Sequence, residues 1–167
     1  IAMRVLVIPL LTVALVITTP SPGQPQGLGE LYRQASPSVA VIRAKGKEVS
    51  AGGVTRFGEI GSGVLISQDG KVASASHVVH GMEDITVEFL GNDPVRARLI
   101  AFQPGADLAL LQLDAVPGSA PVAILADSNG VGVGDSVFII GAPYGLTYSM
   151  SSGIVSARWP ANTVTRD

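Results

Sequence analysis

Short apolar runs separated by turn-forming residues recur along most of this chain. One run is Val39-Ala40-Val41-Ile42, and in residues 85–90 apolar Ile85, Val87 and Phe89 alternate with polar positions. Alternation with a period of two is typical of a strand with one buried face. Strands of this length, bounded by glycine, proline and aspartate, are typical of an all-β protein.

The first part of the chain carries six predicted strands in fewer than eighty residues. They are predicted at residues 39–45, 60–67, 71–76, 85–90, 95–102 and 108–113. Asp69-Gly70 between the second and third runs is a strong hairpin signal, whereas the polar, glycine-bearing residues 46–58 are predicted as a loop. Six short strands at this spacing predict a small closed barrel over residues 38–115.

A second β domain is predicted to begin after a connector rich in proline, glycine and serine at residues 114–121. A seventh strand is predicted at 136–140, and residues 146–157 are again strand-like. Residues 116–167 are therefore predicted as the start of a second barrel that is incomplete at Asp167.

The N-terminal residues have the pattern of an export signal. Met3-Arg4 precedes an apolar run over 5–17, and small polar residues follow. This run is shorter than the roughly 20 residues that a membrane-spanning helix needs, so residues 1–23 are predicted to be a secretory signal peptide. An N-terminal membrane anchor and an ordinary buried segment are the alternatives. Residues 24–37 are predicted as a linker and a short helix that ends at Pro37.

The amino-acid composition argues against several classes of function. Lys plus Arg is 11 and Asp plus Glu is 13, which gives a net charge of −2 and argues against nucleic-acid binding. The chain contains no cysteine, so disulfides, a cysteine nucleophile and thiolate metal sites are excluded. With only two histidines, ligands for a zinc or iron site are scarce, and neither a metal nor a cofactor is expected. An exported chain without cysteine is consistent with a protein of the bacterial envelope.

His77 and Asp107 are the candidate catalytic residues. His77 follows the predicted third strand, and an imidazole is the usual group to remove a proton from a hydroxyl near neutral pH. Asp107 stands directly before an apolar run, where a carboxylate needs a partner such as a histidine N–H. Taken singly, each residue has a simpler interpretation: His77 as a histidine without a task, and Asp107 as a turn residue that caps 104–106.

Other chemical motifs have mainly structural interpretations. His77 and His80 could form an i, i+3 metal pair, but no carboxylate cluster lies beside them, so His80 is predicted to be a solvated turn histidine. Residues 130–135 are rich in glycine but lack the spacing of a phosphate loop, and they are predicted to form a turn.

Five stretches, in order, resemble the HtrA (Deg) type of trypsin-fold serine protease found in bacterial envelopes. They are Gly61-Ser62-Gly63 with the hairpin that follows to Gly70, Ser74-Ala75-Ser76-His77-Val78-Val79, Ala106-Asp107-Leu108-Ala109-Leu110-Leu111, Asp127-Ser128 with Val133-Gly134-Asp135, and Gly141-Ala142-Pro143-Tyr144-Gly145 with Ser152-Gly153-Ile154-Val155-Ser156. The separation of 30 residues between His77 and Asp107 also suits that family.

The resemblance implies a trypsin-like double β-barrel, with the first six-stranded barrel complete and the second truncated. It implies that His77 is a general base and Asp107 its orienting residue, in a serine endopeptidase that cleaves misfolded or exposed envelope polypeptides. No segment of the family's Gly-Asn-Ser-Gly-Gly type occurs up to Asp167, so the nucleophile is expected beyond that residue and the chain alone is predicted to be inactive. By resemblance alone, a homotrimer is expected. The N-terminal export pattern together with the resemblance predicts an exported protein, periplasmic or extracytoplasmic, with or without a membrane tether.

The sequence departs from the family pattern at three positions near the predicted site. Ser74 and Ser76 stand where the family has Thr and Ala or Asn, and Ala142 stands where Asn is usual. An alternative function from a different class is a catalytically inactive trypsin-fold module that binds peptides or regulates a partner.

Overall fold

The computed structural model describes residues 27–50 and 52–159. The predicted signal peptide or anchor at 1–23, and the first residues of the predicted linker, lie outside the described residues. No helix within the described ranges is long and apolar enough to cross a membrane. The helices and strands are α1 Leu28–Ala35, β1 Val39–Ser50, β2 Gly53–Leu65, β3 Lys71–Ser74, α2 Ser76–Val79, β4 Asp84–Phe89, β5 Val95–Gln103, β6 Leu108–Leu113, β7 Ser136–Gly141 and β8 Ser149–Ile154.

The first six strands close into an antiparallel barrel in the order β1-β2-β3-β6-β5-β4, which confirms the predicted six-stranded barrel. On β4, the alternate residues Ile85, Val87 and Phe89 are buried in the interior, and on β1 Ile42 is fully buried. Closure pairs every strand on both sides over part of its length, so the backbone of the barrel has few free edges.

The predicted loop at residues 46–58 is wrong, because β1 and β2 continue as a paired ribbon from Val39↔Val64 to Ser50↔Gly53. The ribbon is largely exposed on both faces, so its sequence lacks the alternation that would have marked it as strand. Gly46 lets the Phe57 ring cross the ribbon, since a Cβ there would lie 2.6 Å from Phe57 Cζ.

A two-stranded antiparallel sheet, β7–β8, follows the barrel. Its register runs from Ser136↔Ile154 to Gly141↔Ser149. The strand-like stretch at 146–157 is shorter than predicted, because Tyr148 adopts a left-handed backbone with φ 56° and β8 begins only after it. The described part of the chain is thus all-β, with two short helices beside a barrel and a small second sheet.

Two tyrosine hydroxyls join the start of the second sheet to the barrel and to α1. The Tyr148 hydroxyl donates to the backbone oxygen of Glu88 on β4 at 3.1 Å. The Tyr32 hydroxyl on α1 donates to the backbone oxygen of Tyr148, also at 3.1 Å. Burial raises the pKa of Tyr148, and the nearby negative charge of Glu88 raises this pKa further.

Two glycines of β2 allow the barrel wall to pack tightly against α2 and the core. A Cβ at Gly61 would lie 2.5 Å from Val78 Cγ2, and a Cβ at Gly63 would lie 2.7 Å from Val72 Cγ1. Contacts under 3.0 Å require a shift of one partner, so only glycine fits these two positions without movement. The Gly-Ser-Gly motif therefore has a packing reason for each of its glycines.

Replacement of Tyr148 by Phe is expected to lower the free energy of unfolding by about 1 kcal/mol at pH 7, because one hydrogen bond is lost. The difference in the free energy of unfolding between Tyr148→Phe and the wild type should shrink as pH rises above 10.0, the ordinary tyrosine pKa. Because the pKa of Tyr148 is raised in the folded protein, this tyrosine ionises first in the unfolded chain. The free energy of unfolding of the wild type therefore falls in this pH range. Urea unfolding between pH 7 and 11 measures this, with exposed Tyr144→Phe as the control. A difference that grew with pH would contradict the assignment.

Replacement of Gly61 by Ala is expected to destabilise the protein by about 1–3 kcal/mol through overpacking against Val78. The added methyl should be accommodated when Val78 is also replaced by Ala, so the double variant should lose less stability than the two single variants together. Gly153→Ala is the matched control, since a Cβ there meets nothing within 4 Å. Additive losses in urea unfolding would show that the contact is not the cause.

Candidate active site

His77 lies on α2, a single helical turn that follows β3. The sequence prediction placed this residue at a strand end, whereas β3 ends at Ser74 and the chain turns into Ser76–Val79. The next two residues, Val78 and Val79, are buried in the barrel core. Their burial fixes the turn, and the His77 side chain is left on its outer face.

Asp107 lies at the entrance to β6 in a left-handed backbone conformation, with φ 51° and ψ 41°. Its amide donates to the Pro104 oxygen at 3.0 Å, so it closes the turn at Pro104–Ala106 as the simpler interpretation expected. Such backbone is costly for a residue other than glycine and persists where the surroundings impose it. Here the same conformation also turns the carboxylate toward α2.

The carboxylate of Asp107 holds both the backbone and the ring of His77. Oδ1 accepts the His77 backbone N–H at 3.0 Å, and Oδ2 lies 2.8 Å from Nδ1 of the ring. A carboxylate that is ionised can only accept, so it favours the ring form with the proton on Nδ1. The other ring nitrogen, Nε2, is then the one able to take up a proton. The structure thus brings together the two residues that the sequence singled out.

A cleft of about 490 Å³ separates the barrel from the second sheet, and His77 lies on its border. The His77 side chain is 68% exposed, whereas that of Asp107 is 28% exposed. The imidazole is therefore open to a substrate while its carboxylate partner is largely shielded. Residues of both units line the cleft: Ile60, Gly61, Ser62, Ala75, His77, Val78, Ile139, Gly141, Ala142, Pro143, Ser149, Met150 and Ser151.

The serines that depart from the family pattern are built into the wall behind His77. Ser74 is 8% exposed and its hydroxyl donates to the Ser62 backbone oxygen at 2.9 Å. Ser76 is 3% exposed and its amide donates to the Asp107 oxygen at 3.2 Å. Both residues therefore support the position of α2.

Ser62 is a site residue whose side-chain role the sequence reasoning missed. Its hydroxyl accepts the amide of Ala142 at 2.8 Å. The alternation of glycine with serine in Gly61-Ser62-Gly63 is the sequence signal that could have indicated a polar side chain pointing away from the core.

The other motifs of the sequence make local structural contacts. The His80 ring stacks against Phe102 with centroids 4.5 Å apart. Within 27–50 and 52–159, no group of three or more His, Cys, Asp or Glu side chains could hold a metal ion. The glycine-rich turn closes on itself, since Asp135 Oδ2 accepts the amide of Gly132 at 2.7 Å.

Comparisons with known proteins identify the family and the fold. The family model described as trypsin-like peptidase domain matches residues 61–167. A probable periplasmic serine endoprotease, DegP-like, from Halomonas elongata is 39% identical over 98 residues, which is 59% of this chain and 20% of that protein. A protein of the same description from Pseudomonas fulva is 37% identical over 99 residues, with the same shares of each chain. The chain thus spans about a fifth of the length of these curated relatives.

Solved structures show the same fold. A variant of the HtrA-type protease AlgW, determined with a decapeptide, has a TM-score of 0.74 at 24% identity, covering 83% of this chain and 48% of that chain. AlgW with a decapeptide has a TM-score of 0.66 at 25% identity, covering 81% and 48%. The barrel, the second sheet and the matched family model together confirm the predicted trypsin-like fold. Its curated relatives are DegP-like and its structural neighbours are HtrA-type proteases, and the chain itself belongs to the trypsin-like peptidase family.

Proposed function

We propose that this chain carries the general base and the orienting carboxylate of a serine endopeptidase. The observation that supports this best is the double contact of Asp107 with the backbone and the ring of His77. A ring held in one orientation and one proton form, beside an open cleft, is what nucleophile activation needs. The nucleophile in this proposal is a serine in a segment that follows Asp167.

In the proposed reaction, Nε2 of His77 takes the proton from the serine hydroxyl while the serine oxygen attacks the peptide carbonyl. The imidazolium that forms is stabilised by the carboxylate of Asp107, which remains ionised. His77 then returns the proton to the leaving amine, and water hydrolyses the acyl-enzyme by the same route. Backbone amides beside the serine would bind the oxyanion.

The proposed substrates are misfolded or exposed polypeptides. The cleft is lined by apolar residues such as Ile60, Ile139 and Met150 together with small ones. A mostly apolar lining suits the apolar side chains that a misfolded polypeptide exposes. The related AlgW structures were determined with a decapeptide, which is consistent with a peptide ligand for this cleft.

The proposed location is the periplasm. The DegP-like relatives are named periplasmic endoproteases, and the proposed export signal or anchor at residues 1–23 agrees with this location. We propose residues 24–37 as the linker and helix, 38–115 as the first barrel, and 116–167 as the beginning of the second.

Replacement of His77 by Ala or of Asp107 by Asn, in the longer protein that contains the serine segment, is expected to lower kcat by about 10⁴-fold. His77→Ala removes the general base. In Asp107→Asn, the amide no longer favours the form of the His77 ring with the proton on Nδ1. His80→Ala is the control, because His80 lies just beyond the same turn and contacts Phe102 instead. Cleavage of an unfolded protein substrate gives the measurement. Retention of wild-type kcat by either variant would overturn the proposal.

The 167-residue chain alone is expected to resist labelling by a fluorophosphonate probe, because the probe reacts with an activated serine. The longer protein should be labelled, and His77→Ala should suppress this labelling. Mass spectrometry locates the modified residue. Labelling of a serine within residues 1–167 would contradict the position proposed for the nucleophile, and no labelling of the longer protein would favour the inactive peptide-binding alternative.

A further inference from the structure

We propose that Ser62 is a positioning residue that fixes the second-sheet wall of the cleft relative to His77. The proposal rests on the function proposed above. Its basis is a hydrogen bond between parts of the chain 80 residues apart: the hydroxyl of Ser62 on β2 accepts the backbone N–H of Ala142, just after β7, at 2.8 Å. Both residues line the same cleft as His77.

The strand alternation explains why this hydroxyl points at the second sheet. Gly61 and Gly63 face Val78 and the core, where a side chain would collide. Ser62, between them, therefore projects from the opposite face of β2. A polar side chain on that face meets the end of β7 and the turn that follows it.

Ala142 depends on this contact because it is only 3% exposed. A buried backbone N–H needs a partner, and the loss of that partner is costly. The fit is also close, since a Cβ at Gly141 would lie 3.0 Å from the Ser62 hydroxyl oxygen. The hydroxyl thus provides the partner for this amide at a point where the two walls are in close contact.

The side of the cleft that carries His77 also contacts residues 61–63. The hydroxyl of Ser74, three residues before His77, donates to the Ser62 backbone oxygen at 2.9 Å. Val78, next to His77, packs over Gly61. Residues 61–63 are therefore a common base for α2 on one side and for residues 141–142 on the other.

This arrangement matters for catalysis because proton transfer requires hydrogen-bond contact between the serine and the imidazole. A displacement of about 1 Å can cost roughly a hundredfold in rate. The hydrogen bond from the Tyr148 hydroxyl to the Glu88 backbone oxygen also joins the start of the second sheet to the barrel. Loss of the Ser62 hydroxyl should therefore shift the cleft wall without unfolding the protein.

The test compares Ser62→Ala with Ser62→Thr in the longer protein, with Ser50→Ala at the exposed end of the same hairpin as control. Ser62→Ala should lower kcat by about ten- to a hundredfold, with KM and the shape of the pH–rate profile retained. Ser62→Thr keeps the acceptor and should restore most of kcat. Amide hydrogen exchange at Ala142 should be accelerated by Ser62→Ala and not by Ser50→Ala.

Wild-type kcat in Ser62→Ala, or a Ser62→Thr variant as slow as Ser62→Ala, would overturn the proposal. A failure of the proposed function would be distinct, because the wild-type protein itself would then show no His77-dependent cleavage. In that case the proposed role of Ser62 in catalysis would also be wrong. Exchange at Ala142 that is unchanged in Ser62→Ala would show that the hydroxyl does not hold the amide.

Discussion

The contact between the Asp107 carboxylate and His77 is the constraint on which the rest of the site depends. Three hydrogen bonds join the entrance of β6 to α2: the Ser76 amide to the Asp107 backbone oxygen, the His77 amide to Oδ1, and the His77 ring to Oδ2. A backbone contact and two side-chain contacts from one residue leave the imidazole little freedom. The left-handed backbone of Asp107 is the local cost of this arrangement, and the closed barrel around it provides the stability that offsets that cost.

The barrel serves the site by making α2 rigid. Val78 and Val79 are buried, and Gly61 provides the space that Val78 occupies. The second sheet completes the cleft, and it is joined to the barrel by the Tyr148 hydroxyl on one side and by the Ser62 hydroxyl on another. The cleft is thus formed between two units of one chain.

The sequence predicted the parts of this structure that depend on a repeating pattern. Alternation over residues 85–90 predicted β4, and the Asp69-Gly70 pair predicted the β2–β3 turn, where Gly70 adopts φ +87°. The ribbon at 46–58 was missed because both of its faces are exposed, so burial left no periodic signal. The one-turn helix α2 was missed because four residues are too few to show a helical period.

Long-range contacts were harder to predict. His77 and Asp107 could be paired only through a family resemblance, because nothing local indicates that residues 30 positions apart meet. The Ser62–Ala142 contact spans 80 positions and was not anticipated.

The most direct test of the account is the proton form of the His77 ring, measured by nitrogen-15 NMR of labelled imidazole at a pH where the ring is neutral. The proton is expected on Nδ1, with its resonance coupled to that nitrogen and lost in Asp107→Ala. A neutral His77 with its proton on Nε2, or a ring signal indifferent to the loss of the carboxylate, would contradict the claim that Asp107 prepares His77 to act as a base.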